Sequence, residues 1–138
     1  MSAGHTMGPA LTAATQRFLL VAAGAVPGAL LRWQAAVQLS PYLPPGGSDV
    51  VVNGVGSWLL AWLVTRSASR QGLRLFLGAG FCGSLTTFSS WMLVTERLQQ
   101  QGFIMGLLWL GLGLAVGLAM AWLGQLPGQL PGPGKARP

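Results

Sequence analysis

Two polar clusters interrupt the apolar runs of this 138-residue chain, and any chemistry must start there. Asn53, set among Val50, Val51, Val52 and Gly54, offers an amide that both donates and accepts hydrogen bonds; Ser57 follows one helical turn later. The stretch 78–91 packs Gly78, Gly80 and Gly83 together with the hydroxyls of Ser84, Thr86, Thr87, Ser89 and Ser90. So many weak helix formers favour a break, and carbonyls freed by a break suit a hard cation such as sodium. The other reading is an unbroken helix whose hydroxyls bond back to its own carbonyls. Phe88 and Trp91, three apart, share a helical face beside Ser89 and Ser90. Ring edges carry partial positive charge and hold a small anion loosely, as conduction requires. For the aromatic pair plain packing is the alternative, and for Asn53 an interhelical hydrogen bond.

Catalysis has few candidates. The chain has one Cys, Cys82, and one His, His5, with two acidic residues in all. That excludes a disulfide framework and a multi-cysteine metal site, and leaves no carboxylate pair for acid–base work. His5 lies in a polar start and reads as a solvated tail residue. Charged residues make up 7% of the chain, against about 25% in soluble domains, while hydrophobic residues make up 51%. The net charge of +6 comes from single, widely spaced basic residues, unlike the clustered face of a nucleic-acid binder. The composition indicates an integral membrane protein without enzymatic activity, its partner the lipid bilayer.

The elements that position the polar clusters follow from the charges, which act as punctuation. Four apolar segments, about 18–39, 50–65, 75–95 and 103–123, approach the roughly 20 residues that a spanning helix needs. The expected fold is all-α, with four transmembrane helices and the third broken at mid-membrane. Residues 40–49, rich in Pro and Gly, read as a tight turn, 66–74 as a basic loop and 96–102 as a short polar one. Residues 1–16 read as a flexible tail, 17–125 as the transmembrane domain and 126–138 as a disordered Pro/Gly tail. Gly24-x-x-x-Gly28, Gly102-x-x-x-Gly106 and Gly113-x-x-x-Gly117 would let helices approach closely, and Pro27 would bend the first. With the N-terminus inside, Arg17, Arg66, Arg70, Arg74, Lys135 and Arg137 face the cytoplasm, against Arg97 and Arg32 outside. The termini are therefore expected to be cytoplasmic.

Three stretches together resemble a known family. Gly24-Ala25-Val26-Pro27-Gly28-Ala29-Leu30-Leu31-Arg32-Trp33, Val52-Asn53-Gly54-Val55-Gly56-Ser57-Trp58 and Gly80-Phe81-Cys82-Gly83-Ser84-Leu85-Thr86-Thr87-Phe88-Ser89-Ser90 are similar, in order, to signatures of the Fluc/CrcB fluoride channels. The resemblance covers residues 18–125. It implies a passive, fluoride-specific channel of the inner plasma membrane that lowers cytoplasmic fluoride, working as an antiparallel dimer with two pores. It also implies a structural sodium ion, not transported, held by the carbonyls of Gly83 and Thr86 from both subunits. The pore asparagine maps to Asn53, the first pore phenylalanine to Phe88, the vestibule cation to Arg32, and the hydroxyl track to Thr87, Ser89 and Ser90.

The chain departs from the family pattern at four places. Trp91 stands where a second pore phenylalanine is usual, keeping an aromatic edge and adding an indole donor. Asp49 replaces a threonine four residues before Asn53. Trp109 and Gly113 replace a tyrosine and a serine, so the fourth segment has no Ser or Thr. The six-to-two bias of basic residues favours one fixed orientation, and hence a heterodimer with an oppositely inserted homologue over a homodimer. Two other functions remain open. A proton-coupled exporter like the small multidrug resistance proteins has four short spans but needs a carboxylate in its first, where this chain has Arg32. A non-conducting scaffold or partner subunit would leave Asn53 and the third-segment glycines purely structural.

Overall fold

The fold comes from a computed structural model that describes residues 9–67 and 70–129. Every regular element among them is helical. Helix α1 spans Pro9–Leu39 and α2 Gly47–Arg66; α3 is a run of three contiguous pieces, Gln71–Leu73, Arg74–Cys82 and Gly83–Leu85; α4 spans Ser89–Gln101 and α5 Phe103–Gln129. The middle piece of α3 is a wide π-type coil in which Gly83 N–H reaches back to the Gly78 carbonyl. Three stretches are long and apolar enough to cross a membrane: Thr12–Leu39, Gly47–Arg66 and Phe103–Leu126.

Several boundaries differ from the sequence expectation. Helix α1 begins at Pro9, inside the stretch read as a tail. Proline is well placed at the first helical position, where its missing N–H costs nothing, and Ala10, Ala13 and Ala14 favour the turns that follow. At the other end α5 runs to Gln129, so its last turn continues through Pro127. His5, Lys135 and Arg137 lie outside the described residues. The turn after α1 is shorter than expected, because α2 already starts at Gly47. It closes through Leu43 N–H to Leu39 O at 3.1 Å and Gly47 N–H to Pro44 O at 2.8 Å. Gly46 takes φ 79°, a left-handed conformation that suits a residue without a Cβ.

Glycines decide how the helices pair. A Cβ on Gly24 would strike the Phe76 carbonyl, and one on Gly28 the Phe81 carbonyl; a Cβ on Gly80 would sit 2.5 Å from Val21 O. Helices α1 and α3 therefore touch backbone to backbone, and since the contacts advance together along both, they run parallel. The pair α2 and α5 repeats the scheme: Gly54 meets Val116 and Met120, and Gly124 meets the Trp58 carbonyl. Of the other glycine pairs, Gly106 packs on Gln99, but Gly102 has no neighbour in reach and ends α4 rather than serving a helix face. Large side chains point outward instead: Phe18, Ile104 and Leu118 are each about 70% exposed. Apolar outside and close-packed small residues inside is the arrangement a bilayer solvent favours, since lipid tails welcome Leu and Phe as well as a core does.

Candidate functional site

Helix α3 ends at Leu85 because Thr86 turns extended, with φ −73° and ψ 148°, and α4 resumes only at Ser89. The break expected from the glycines and hydroxyls is present. Back-bonding is present too: Thr86 Oγ1 donates to the Cys82 carbonyl at 3.0 Å and Thr95 Oγ1 to the Trp91 carbonyl at 2.9 Å. The glycine-rich part of the stretch remains helical, though underwound into the wide coil, and the chain opens only at Thr86-Thr87-Phe88.

What pins the opened chain is Asn53 on α2. Its Nδ2 donates to the Thr87 carbonyl at 2.7 Å and its Oδ1 accepts the Thr87 N–H at 2.7 Å, so one amide satisfies both backbone groups. Thr87 N–H is the donor that a continuous helix would give to the Gly83 carbonyl. Diverted to Asn53, it leaves that carbonyl without a backbone donor, and none reaches the Thr86 carbonyl either, among the described residues. The break thus offers oxygens from the end of α3 and unpaired N–H groups from the start of α4, one end suited to a cation and the other to an anion.

Asn53, Gly56, Ser57 and Leu60 recur at helical spacing along one face of α2 and line a cleft of about 420 Å³. Thr86, Thr87, Phe88 and Trp91 close it from the break, and Gly113, Gly117 and Leu118 from α5; no lining residue is charged. The hydroxyls of Thr87 and Ser90 lie 2.9 Å apart. Phe88 is 68% exposed and meets Trp91 edge to face, ring centroids 5.6 Å apart and planes at 67°. Trp91 is 5% exposed and its indole Nε1 has no hydrogen-bond partner. A Cβ on Gly113 would lie 2.6 Å from Nε1, so Gly113 forms the notch that admits the indole. Gly56 does the same for Thr86, whose methyl would sit 2.5 Å from a Cβ there.

Of the residues singled out from sequence, the fold gathers Asn53, Thr86, Thr87, Phe88 and Trp91 at this cleft and adds Ser90 through Thr87. Ser89 turns the other way, into a shallow depression with Met92, Thr95, Glu96 and Leu110. Gly83, exposed, and Arg32, half-buried on α1, do not line the cleft. The Arg32 guanidinium lies within electrostatic reach of the Asp49 carboxyl instead, which gives that unusual acid a counter-charge. Gly113 and Gly117, read from sequence as a packing pair with Gly113 also a lost hydroxyl, prove to be cleft walls, as does Gly56, which the sequence did not mark as one. The helical spacing of Asn53, Gly56 and Ser57 was the available signal for Gly56.

Comparison with known proteins adds the following. The family profile described as "CrcB-like protein, Camphor Resistance (CrcB)" matches residues 19–125. A protein of Synechococcus sp. (strain CC9902) named Fluoride-specific ion channel FluC 2 is 46% identical over 120 residues, covering 83% of this chain and 84% of its own. A protein of Parasynechococcus marenigrum (strain WH8102) with the same name is 48% identical over 101 residues, 71% of each chain. Fluoride-specific ion channel FluC 1 of Halobacterium salinarum is 41% identical over 112 residues, covering 76% of this chain and 90% of its own.

Proposed function

The chain belongs to the CrcB family, and on that premise we propose that it is a fluoride-specific ion channel, a membrane protein and not an enzyme, that lets fluoride leave the cytoplasm passively. The observation that carries the reading is the uncharged cleft at the helix break, lined by Asn53, Thr87, Phe88 and Trp91. Fluoride is small and strongly hydrated, so its path must supply donors in place of water without a fixed charge that would trap it. One Nδ2 hydrogen of Asn53, the hydroxyls of Thr87 and Ser90, and the ring edges of Phe88 and Trp91 are such donors, while Ser89 faces a separate depression. Arg32 would draw the anion toward the mouth of the path.

The working unit we propose is an antiparallel dimer of four-span subunits in the inner plasma membrane, with α3 and α4 as two halves of one span broken at mid-membrane. Neither half reaches the roughly 20 residues of a full span; α4 has 13. The parallel pairing of α1 with α3, and of α2 with α5, fits a chain that crosses four times in alternating directions. The carbonyls of Gly83 and Thr86, together with the same pair from the second subunit, would hold a sodium ion that ties the subunits together. Hard oxygen donors without competing N–H partners fit that ion.

A specific observation favours a second homologous chain as the partner. Arg17 shares a depression with Gln71 and Leu75, so it joins Arg66, Arg70 and Arg74 at one end of the bundle, while the far end sets Arg32 and Arg97 against Asp49 and Glu96. Four basic residues at one end against two at the other favour one insertion, with the more basic end cytoplasmic. An exporter of the small-multidrug-resistance type is disfavoured by the lack of any acid in α1.

The test is fluoride efflux from liposomes loaded with the purified chain, with and without a proton gradient. Flux independent of the gradient is expected. Flux that follows the gradient would mean an exporter, and no flux from this chain or from a mixture with a homologue would mean a scaffold.

A further inference from the structure

Asn53 does more in this fold than present an amide to an anion. Both of its amide heteroatoms are committed to the backbone of Thr87 at 2.7 Å, across 34 residues of sequence. Thr87 N–H is the group that would otherwise close the last turn of α3 onto the Gly83 carbonyl. Gly83 is exposed and its carbonyl has no backbone donor, among the described residues. A freed carbonyl in a bilayer is costly unless something takes it up. From this we infer that Asn53 is the positioning residue of the cation site: by capturing Thr87 N–H it holds the Gly83 carbonyl available to a hard cation, and so links the cation site to the anion path through a single side chain.

The inference rests on the reading above that the Gly83 and Thr86 carbonyls hold sodium. The geometry makes the link directional. Oδ1 is the atom that frees the Gly83 carbonyl, whereas the second Nδ2 hydrogen, not used by Thr87, is the one left for an anion in the cleft. The two roles therefore respond differently to substitution. Asn53→Ala removes Oδ1, so Thr87 N–H can return to the Gly83 carbonyl. Asn53→Asp keeps the acceptor for Thr87 N–H, loses the donor to the Thr87 carbonyl and sets a carboxylate in the anion path.

The experiment is thermal unfolding of the purified chain in detergent as a function of sodium concentration, at constant ionic strength, alongside liposome fluoride flux. For Asn53→Ala the sodium concentration giving half-maximal stabilisation should rise about tenfold, the scale of one lost backbone-positioning hydrogen bond. Asn53→Asp should stay within about threefold of wild type in sodium response while losing flux, because an ionised acceptor still holds Thr87 N–H. Phe88→Ala should lose flux with no change in sodium response, so that a shift cannot be blamed on a damaged anion path. If Asn53→Ala does not fold, Asn53→Ser, whose short side chain cannot bridge both Thr87 groups, carries the same comparison. A folded Ala or Ser variant with a wild-type sodium response overturns the inference. So does a wild-type chain that conducts fluoride but gains no stability from sodium. A wild-type chain that responds to sodium without conducting fluoride counts against the channel reading alone.

Discussion

At the residue scale, the cleft balances an aromatic pair against the space that α5 leaves for it. Phe88 is exposed and T-shaped against Trp91, and its ring edge is what an anion in the cleft would meet. Phe88→Ala should therefore lower fluoride flux at least about tenfold, a rise of only ~1.4 kcal/mol in the barrier, measured with an ion-selective electrode on loaded liposomes. The indole of Trp91 is seated only because Gly113 has no side chain. Gly113→Ala should push the indole toward the cleft and cut flux by about tenfold, since overpacking costs on the order of 1–3 kcal/mol. The double variant Gly113→Ala with Trp91→Phe should recover most of it, because a benzene ring fits where an indole does not. A double variant no better than the single would show that the notch is not steric. Sequence made the polar clusters and the aromatic pair visible, since each is a matter of residue type. It did not reveal that Asn53 spends both its heteroatoms on Thr87, or that Ser89 faces away while Ser90 joins Thr87, because those depend on where two distant helices meet.

At the element scale, the break is made by one extended residue and held by another helix. The glycines before it serve packing more than bending: Gly24, Gly28 and Gly80 let α1 and α3 touch at the backbone. Gly24→Val should destabilise the fold by about 1–3 kcal/mol or disperse the bundle, since its side chain would meet the Phe76 carbonyl rather than a flexible neighbour. Thermal unfolding in detergent, followed by the fluorescence of the tryptophans, would measure it; an unchanged midpoint would contradict the close parallel packing. Hydropathy foretold the α1, α2 and α5 segments within a few residues, apart from the early start at Pro9 and the late end at Gln129. The single apolar stretch 75–95 gave no sign of the wide coil between Arg74 and Cys82, since three-and-six-tenths periodicity carries no mark of a looser winding.

At the scale of the whole molecule, the proposed direction of insertion rests on charge. Arg17, Arg66, Arg70 and Arg74 gather at one end of the bundle, and Arg66 lies 6.0 Å above the Trp62 ring, an anchor suited to a membrane interface. Cysteine placed singly at Ser40 and at Gln71, both exposed, with Cys82 changed to Ser, should label from opposite sides of intact cells: Ser40 from outside, Gln71 only after permeabilisation. Equal labelling of both positions from both sides would mean that the chain inserts in two orientations and can pair with itself.

The sequence by itself determined that this is a membrane protein, where its apolar helices run and which segment breaks, and it supplied the charges on which the proposed direction of insertion rests. Each of these depends on composition summed over a local window, or on charges at the ends of spans, and needs no knowledge of neighbours. Only the tertiary structure decided that the break is held open by Asn53, that Gly113 seats Trp91, and that Asp49 has Arg32 within reach. Those are pairings between helices far apart in the chain, and a hydrogen bond or a steric notch exists only once packing has brought both of its halves to one place.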